Sequence, residues 1–300
     1  MGVVSLETAH DIHQNNFDDN YMAGIVLDKG ARTVIRDNRF MDNGQSLIPE
    51  STPVAEHVSA IMSNFATTDK VPKNQTPLLL SNTFIDNTRA VAVTESVDRG
   101  QYFNRPLFFN NVVEESTSGD TVRVANGDQR CELLTWNNCY NAPTPIFTSD
   151  QQGREILTQD SIFDDPELTG DDDLLDDESP CINTGLYVTW PGFSTELGYP
   201  DSGVLDIGYH YATGPMNSPD PPDDLDFTGT TLSWSHPSGS ITPAYLVIVE
   251  LPVGDLMDFY WTGGTSYTLP PDLQSYTLWC AVMSHLFQVT YSEPVWIEYY

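Results

Sequence analysis

The chain has 300 residues, 39% of them hydrophobic, and a formal charge of -31 from 12 Lys and Arg against 43 Asp and Glu. That length suits one large domain or two smaller ones, each with a sizeable core. So acidic a chain repels phosphate backbones and anionic headgroups, which excludes nucleic-acid binding; no run of 18 apolar residues offers a membrane span, and the charge suits divalent cations, a salty medium or plain solubility.

In chain order, the opening stretch from Met1 to Phe17 lacks the basic and long apolar segments of a signal peptide and runs straight into a strand-like pattern. A short unit then recurs: Asn, any residue, an aromatic, and shortly afterwards Asp-Asn. It appears at Asn15 to Phe17 with Asp19-Asn20, at Asn38 to Phe40 with Asp42-Asn43, and at Asn82 to Phe84 with Asp86-Asn87. Degenerate copies end at Val113, Tyr140 and Phe163, so the anchors are 23, 44, 29, 27 and 23 residues apart. The interval of 44 reads as two periods of 22, with Ile61 to Phe65 supplying strand material in the gap. Short β-branched runs such as Thr33-Val34-Ile35 and Pro77-Leu78-Leu79-Leu80 precede the units, and no 3.6-residue apolar period is sustained. Short strands at a period of 20 to 30 residues predict a solenoid in which each strand pairs with its copy on the next coil.

Stacking at about 4.8 Å puts equivalent side chains directly above one another. Asn15, Asn38, Asn82 and Asn138 are therefore expected to form a hydrogen-bonded ladder, and Phe17, Phe40 and Phe84 an interior file. These are structural roles, favoured over any ligand role.

The runs Ser179-Pro180-Cys181-Ile182-Asn183-Thr184-Gly185 and Leu205-Asp206-Ile207-Gly208-Tyr209-His210-Tyr211 follow the repeats. Together with the repeat they resemble the right-handed parallel β-helix of the pectin-lyase-like superfamily and the closing signature of many secreted bacterial β-helix proteins. The resemblance implies a β-helix over residues 1–214 whose closing segment spans 160–211, ending in a strand at Leu205 to Tyr211, and a secreted or cell-surface location. Asn183 stands where that signature has Asp. Lyases of the superfamily combine acidic calcium ligands with a basic residue. Arg36, Arg39 and Arg123 are the nearby bases, but no ligand set transfers residue by residue. The acidic run Gly170 to Glu178 lacks EF-hand spacing and reads as a solvated loop. Tyr187, Trp190, Phe193 and Tyr199 lie between the two closing motifs, where they would stack on sugars or cap the solenoid end, the cap being favoured.

Residues 215–223 form a Pro/Asp linker. Beyond it, alternating strands are expected at Leu232 to Trp234, Tyr245 to Val249, Ser266 to Leu269, Tyr276 to Val282 and Tyr291 to Trp296, and Leu273 with Tyr276 looks like a tyrosine corner. Residues 224–300 resemble a fibronectin type III domain, which implies a β-sandwich acting as a spacer or binding unit. The fold class is thus all-β, a parallel β-helix followed by a sandwich.

For chemistry, Asp19 and Asp42 follow equivalent anchors on adjacent coils, and Asp86 follows the next. Turn formation is the leading reading for them. Such stacked carboxylates also suit a shared Ca²⁺ or the close acid pair of a retaining glycosidase. Ca²⁺ is the one cofactor expected. Cys131 and Cys139 either pair or stay, like Cys181 and Cys280, as buried thiols. The expected function is a monomeric, extracellular scaffold or carbohydrate-binding module, non-catalytic and facing a polysaccharide or cell-surface glycan. The competing expectation is a polysaccharide lyase or glycoside hydrolase whose groove lies partly on further N-terminal coils.

Overall fold

A computed structural model describes residues 2–6, 10–28, 31, 33–44, 58–65, 75–95, 104–116, 120–125, 131, 133–141, 147–149, 156–159, 161–168, 175–185, 193–194, 200–201, 206–208, 220–236, 244–250, 257–271, 273–274, 278–286, 290–291 and 295–300. No helix long and apolar enough to cross a membrane occurs among them. The chain divides into two compact units, Met1–Tyr211 and Ala212–Tyr300.

The first unit is a parallel β-helix. Coil 1 consists of β1 (Val3–Leu6), β2 (Asp11–His13) and β3 (Asn16–Asp18), and coil 2 of β4 (Ile25–Asp28), β5 (Val34–Arg36) and β6 (Arg39–Met41). Coil 3 has β7 (Ile61–Phe65), β8 (Leu78–Leu80) and β9 (Thr83–Asn87), and coil 4 has β10 (Val91–Glu95), β11 (Leu107–Phe109) and β12 (Val112–Ser116). Coil 5 has β13 (Val122–Ala125), β14 (Leu133–Trp136) and β15 (Cys139–Tyr140); coil 6 has β16 (Phe147–Ser149) and β17 (Ile156–Gln159), with Ile162 bridging to Cys139. The first strands of successive coils form sheet A, the second sheet B and the third sheet C, every pair parallel.

Register corrects one sequence expectation. Phe40 pairs directly with Phe84, so the interval of 44 residues is a single coil, not two periods of 22. Ile61 to Phe65 is the sheet A strand of that same coil, in register with Ile25 and Val91. Loops of unequal length join strands of near-constant length, and a spacing measured along the chain adds both together.

The interior is built from columns. Phe17, Phe40 and Phe84 stack with ring centroids 4.9 Å apart and planes within 9°. At the next coil the register position holds Val113, too small to continue the stack. Phe108 of sheet B leans into the gap, 5.5 Å from Phe84 and 6.5 Å from Tyr140, and Phe163 closes the file on Tyr140. Offset stacking of this kind adds to the stabilisation from burial alone. Leu79 and Phe108 point into this core, yet their neighbours Leu78, Leu80, Leu107 and Phe109 are buried just as deeply on the outer face of sheet B. The uninterrupted apolar triplets Leu78–Leu80 and Leu107–Phe109 are the sequence mark of a sheet covered on both sides.

The closing segment packs on the outer face of sheet C. Val112 and Cys139, which alternate with inward Val113 and Tyr140, form a small core with Cys181 and Ile207, flanked by Ile162, Leu168 and Leu175. Leu168 and Leu175 pair antiparallel, and residues 170–174 of the acidic run read as a solvated loop lie outside the described residues. Ser179 Oγ donates to the carbonyl of Pro166, Ile207 N–H to Cys181 O and Gly208 N–H to Asn110 O. Gly208, at φ +109, has a mandatory identity: a Cβ there would lie 2.7 Å from Cγ2 of Val112. Asp206 to Gly208 is not a strand, contrary to the expectation for the second closing motif, and Tyr209 to Tyr211 lie outside the described residues.

Cys139 and Cys181 form a disulfide. This corrects the sequence reading, in which Cys139 either paired with Cys131 or stayed reduced together with Cys181. Cys131 and Cys280 are buried thiols outside the disulfide. Cys139 faces outward next to an inward Tyr140, and its partner comes from a segment 42 residues downstream that the fold returns to sheet C.

A short antiparallel pair, β18 (Phe193–Ser194) with β19 (Pro200–Asp201), precedes the second unit. That unit comprises β20 (Asp223–Thr228), β21 (Thr231–Ser235), β22 (Ala244–Glu250), β23 (Met257–Thr262), β24 (Ser266–Thr268), β25 (Leu278–Leu286), β26 (Thr290–Tyr291) and β27 (Val295–Tyr299). One antiparallel sheet has the order β20-β21-β24; the other is β23-β22-β25, with β26 and β27 both pairing to β25. Leu232 and Trp234 from the first sheet meet Tyr245, Val247, Val249, Leu278, Cys280 and Val282 from the second in one apolar core. Strand β20 already begins at Asp223, the last residue of the stretch read as a linker. It and β23 are strands that the sequence pattern did not mark. Leu273 is buried in this core, whereas Tyr276 lies outside the described residues.

Candidate functional site: the acidic corner of sheet C

Each of the first three coils leaves sheet C by the same route. An inward aromatic is followed by an outward residue, an Asp and an Asn: Phe17-Asp18-Asp19-Asn20, Phe40-Met41-Asp42-Asn43 and Phe84-Ile85-Asp86-Asn87. The three Asp residues adopt left-handed backbone, with φ of 51°, 48° and 51°. Asp tolerates that conformation better than most residues, since its short polar side chain bonds locally.

The Asn after each Asp locks the corner. Asn43 donates from its backbone N–H and Nδ2 to Oδ1 of Asn87, at 3.0 and 2.9 Å, while Asn20 donates in the same way to Asn43. Nδ2 of Asn43 also binds the carbonyls of Phe17 and Met41, one on each side of a coil boundary. This is a second Asn ladder, which the sequence reading described as part of the repeat but did not recognise as a hydrogen-bonded column. The first ladder runs Asn15, Asn38, Asn82, Asn111 and Asn138, each Oδ1 after the first accepting from the preceding coil, and ends on Ser161. Asn111 completes it. The residue before each of these Asn is also left-handed: Gln14, Asp37, Ser81, Asn110 and Asn137. Each of the first three coils therefore turns at two left-handed corners, each clamped by an Asn, whereas coil 4 has Ser116 in register with Asn87.

One ladder leaves its corner side chains as carboxylates, and stacking brings them together. Ligand oxygens of Asp18, Asp19 and Asp42 lie within 4.8 Å of one another. Asp42, at the middle of the column, is harder to ionise than an ordinary carboxyl: burial is the first cause, followed by the charges of Asp86, Asp19 and Asp18. Asp18 and Asp19 are exposed, and Asp42 and Asp86 are half-buried. Asp18 escaped the sequence reading because its place on later coils is taken by Met41 and Ile85, so no repeat marks it. Tyr21, two residues beyond Asp19, is 50% exposed. Such a group of oxygens can share a divalent cation at about 2.4 Å, share protons, or accept hydrogen bonds from hydroxyls.

The other proposed residues divide. Arg36 is fully buried against Asp37, and Arg123 lies 3.7 Å from Asp120, which also binds Arg89 at 2.9 Å. Arg39 lies on the outer face of sheet C, half-buried and in register with Asn16 and Thr83. Tyr187, Trp190 and Tyr199 fall outside the described residues; Phe193 belongs to β18, but its side chain is not among those described. No curated protein and no solved structure matches this chain. Residues 2–135 match the family described as right handed beta helix region, a stretch that supplies coils 1 to 4 and most of coil 5. Sequence match and parallel sheets agree: the first unit is a right-handed parallel β-helix.

Proposed function

We propose that this chain is an extracellular, non-catalytic β-helix protein that presents the acidic corner of sheet C to a polysaccharide or cell-surface glycan. The observation that carries the reading is the division of labour at that corner: the Asn after each Asp is consumed by the ladder, and the carboxylates are left towards the surface, with exposed Tyr21 two residues after Asp19. Carboxylates accept sugar hydroxyl hydrogen bonds, and the apolar face of a pyranose stacks on a tyrosine ring. Ca²⁺ held by the clustered oxygens of Asp18, Asp19 and Asp42 would strengthen such contacts with a glycan that is itself acidic. The disulfide supports an oxidising, secreted setting. Residues 224–300 would serve as a fibronectin type III-like spacer; a three-stranded sheet packed on a second antiparallel sheet supports that reading.

A glycan array probed with and without calcium, with Asp42→Ala alongside, tests the proposal. Binding without turnover, weakened by Asp42→Ala, is expected; absence of binding to any glycan would refute it. A second reading, glycoside hydrolysis, is favoured by one feature: close carboxylates with one of them held protonated to higher pH fit a retaining acid pair. Cleavage of an oligosaccharide that Asp42→Ala abolishes would establish it instead.

A further inference from the structure

Charge is divided unevenly along this chain. All 12 Lys and Arg precede residue 155, whereas 23 of the 43 Asp and Glu follow it. The β-helix coils use their bases: Arg36 pairs with Asp37, and Arg89 and Arg123 with Asp120. No such pair can form inside the second unit, where Ala212–Tyr300 holds ten acidic residues and no Lys or Arg. Its edge strand β20 presents Asp223, Asp224 and Asp226, all exposed, and Glu298 is exposed on β27. Phe227 and Tyr299, the next residues along, touch at 4.5 Å, so Asp226 and Glu298 belong to neighbouring strands. Neutral hydroxyls are the donors seen on these carboxylates: Ser235 to Asp224, Thr228 to Asp226 and Tyr300 to Glu298.

Folding gathers those like charges into a small volume, while the unfolded chain spreads them. Uncompensated net charge therefore works against the compact state. Dissolved ions reduce the penalty, since the screening length falls from about 10 Å at 0.1 M salt to about 3 Å at 1 M. Salt acts differently on the coils, where attraction as well as repulsion is screened and the Arg36–Asp37 pair is fully buried.

We propose that the second unit is a cation-dependent fold: it is stable in concentrated salt and loosens in dilute buffer, while the coils of the β-helix respond much less. The dependence is one of screening by any monovalent cation, with no specific ion site, and it is independent of the glycan reading. Thermal unfolding of the intact chain in about 0.02 M and about 1 M sodium chloride tests it. Tryptophan emission reports the second unit, because Trp234, Trp261, Trp279 and Trp296 are four of the six tryptophans. Its transition should rise by roughly 5–15 °C in the higher salt, and equally with choline chloride. The variant Asp223→Asn, Asp224→Asn, Asp226→Asn, changed only at exposed positions, should melt higher in dilute buffer and lose part of the salt shift. An unchanged transition between the two salt levels overturns the proposal. So does a salt shift as large in the triple variant as in the parent, or a shift given by millimolar calcium but not by sodium.

Discussion

The two units solve the problem of buried polar groups in opposite ways. Apart from Ser284, every buried polar or charged side chain among the described residues lies in the β-helix unit, while the core of the second unit is almost wholly apolar. Parallel, in-register coils set each residue against its own equivalent, so an Asn that can both donate and accept finds a partner in the next Asn. Antiparallel pairing in the second unit sets Leu232 against Tyr267 and Val247 against both Tyr260 and Val282, pairs with no such reciprocity. A repeating fold can therefore bury polarity at little cost, because every copy satisfies the one before. A non-repeating sandwich relies on apolar area, worth about 25 cal/mol per Å².

Four variants would break or sharpen this comparison. The largest effect belongs to Asn82→Ala. It leaves the N–H and Nδ2 of Asn38 and the carbonyl of Ile35 without this partner inside the stack, and should cost about 3–6 kcal/mol in urea unfolding. Asn20→Ala, at the exposed end of the other ladder, should cost about 1 kcal/mol. Equal losses would mean that the columns do not act as columns.

Next in size is the double variant Cys139→Ala, Cys181→Ala. Removing a crosslink that closes 42 residues should lower stability by about 4 kcal/mol on the chain-entropy account. Hydrogen exchange should locate the loss in coil 6 and the closing segment, with coils 1 to 3 and the second unit protected as before. Loss of protection in coil 1 would show that the β-helix unfolds as one block.

The smallest effect, and the one most specific to the acidic corner, is that of Asp42→Asn. Its carboxyl binds a proton more tightly in the folded state than the reference value of 3.8 implies. The sign follows: at neutral pH ionised Asp42 lowers stability, and the penalty disappears as pH falls through its raised value towards 3.8. Asp42→Asn should thus raise the melting temperature at pH 7 and change it little near pH 4. A destabilised variant at pH 7 would show instead that the carboxylate is needed by the turn.

The comparison also explains what could be read in advance. Asn15, Asn38, Asn82 and Asn138, with Phe17, Phe40 and Phe84, stood out because a column demands the same residue type on every coil. The second ladder was visible in the dipeptides Asp19-Asn20, Asp42-Asn43 and Asp86-Asn87, but turn chemistry accounts for such pairs equally well. Phe108 gave no signal, since it fills a void created by Val113 on a different sheet. In the second unit, β23 was missed because Met257–Thr262 runs Met-Asp-Phe-Tyr-Trp-Thr, where the polar-apolar alternation breaks down.

By itself the sequence determined the local unit: which residues turn, which face inward, and that copies of the unit repeat. Those properties depend on backbone preference and on polarity over a few residues. Only the tertiary structure decided how many coils the repeats make, which cysteine Cys139 joins, and that the four carboxylates Asp18, Asp19, Asp42 and Asp86 share one corner. Each of these depends on loops of arbitrary length bringing distant residues into register, and such loops carry no periodic signal.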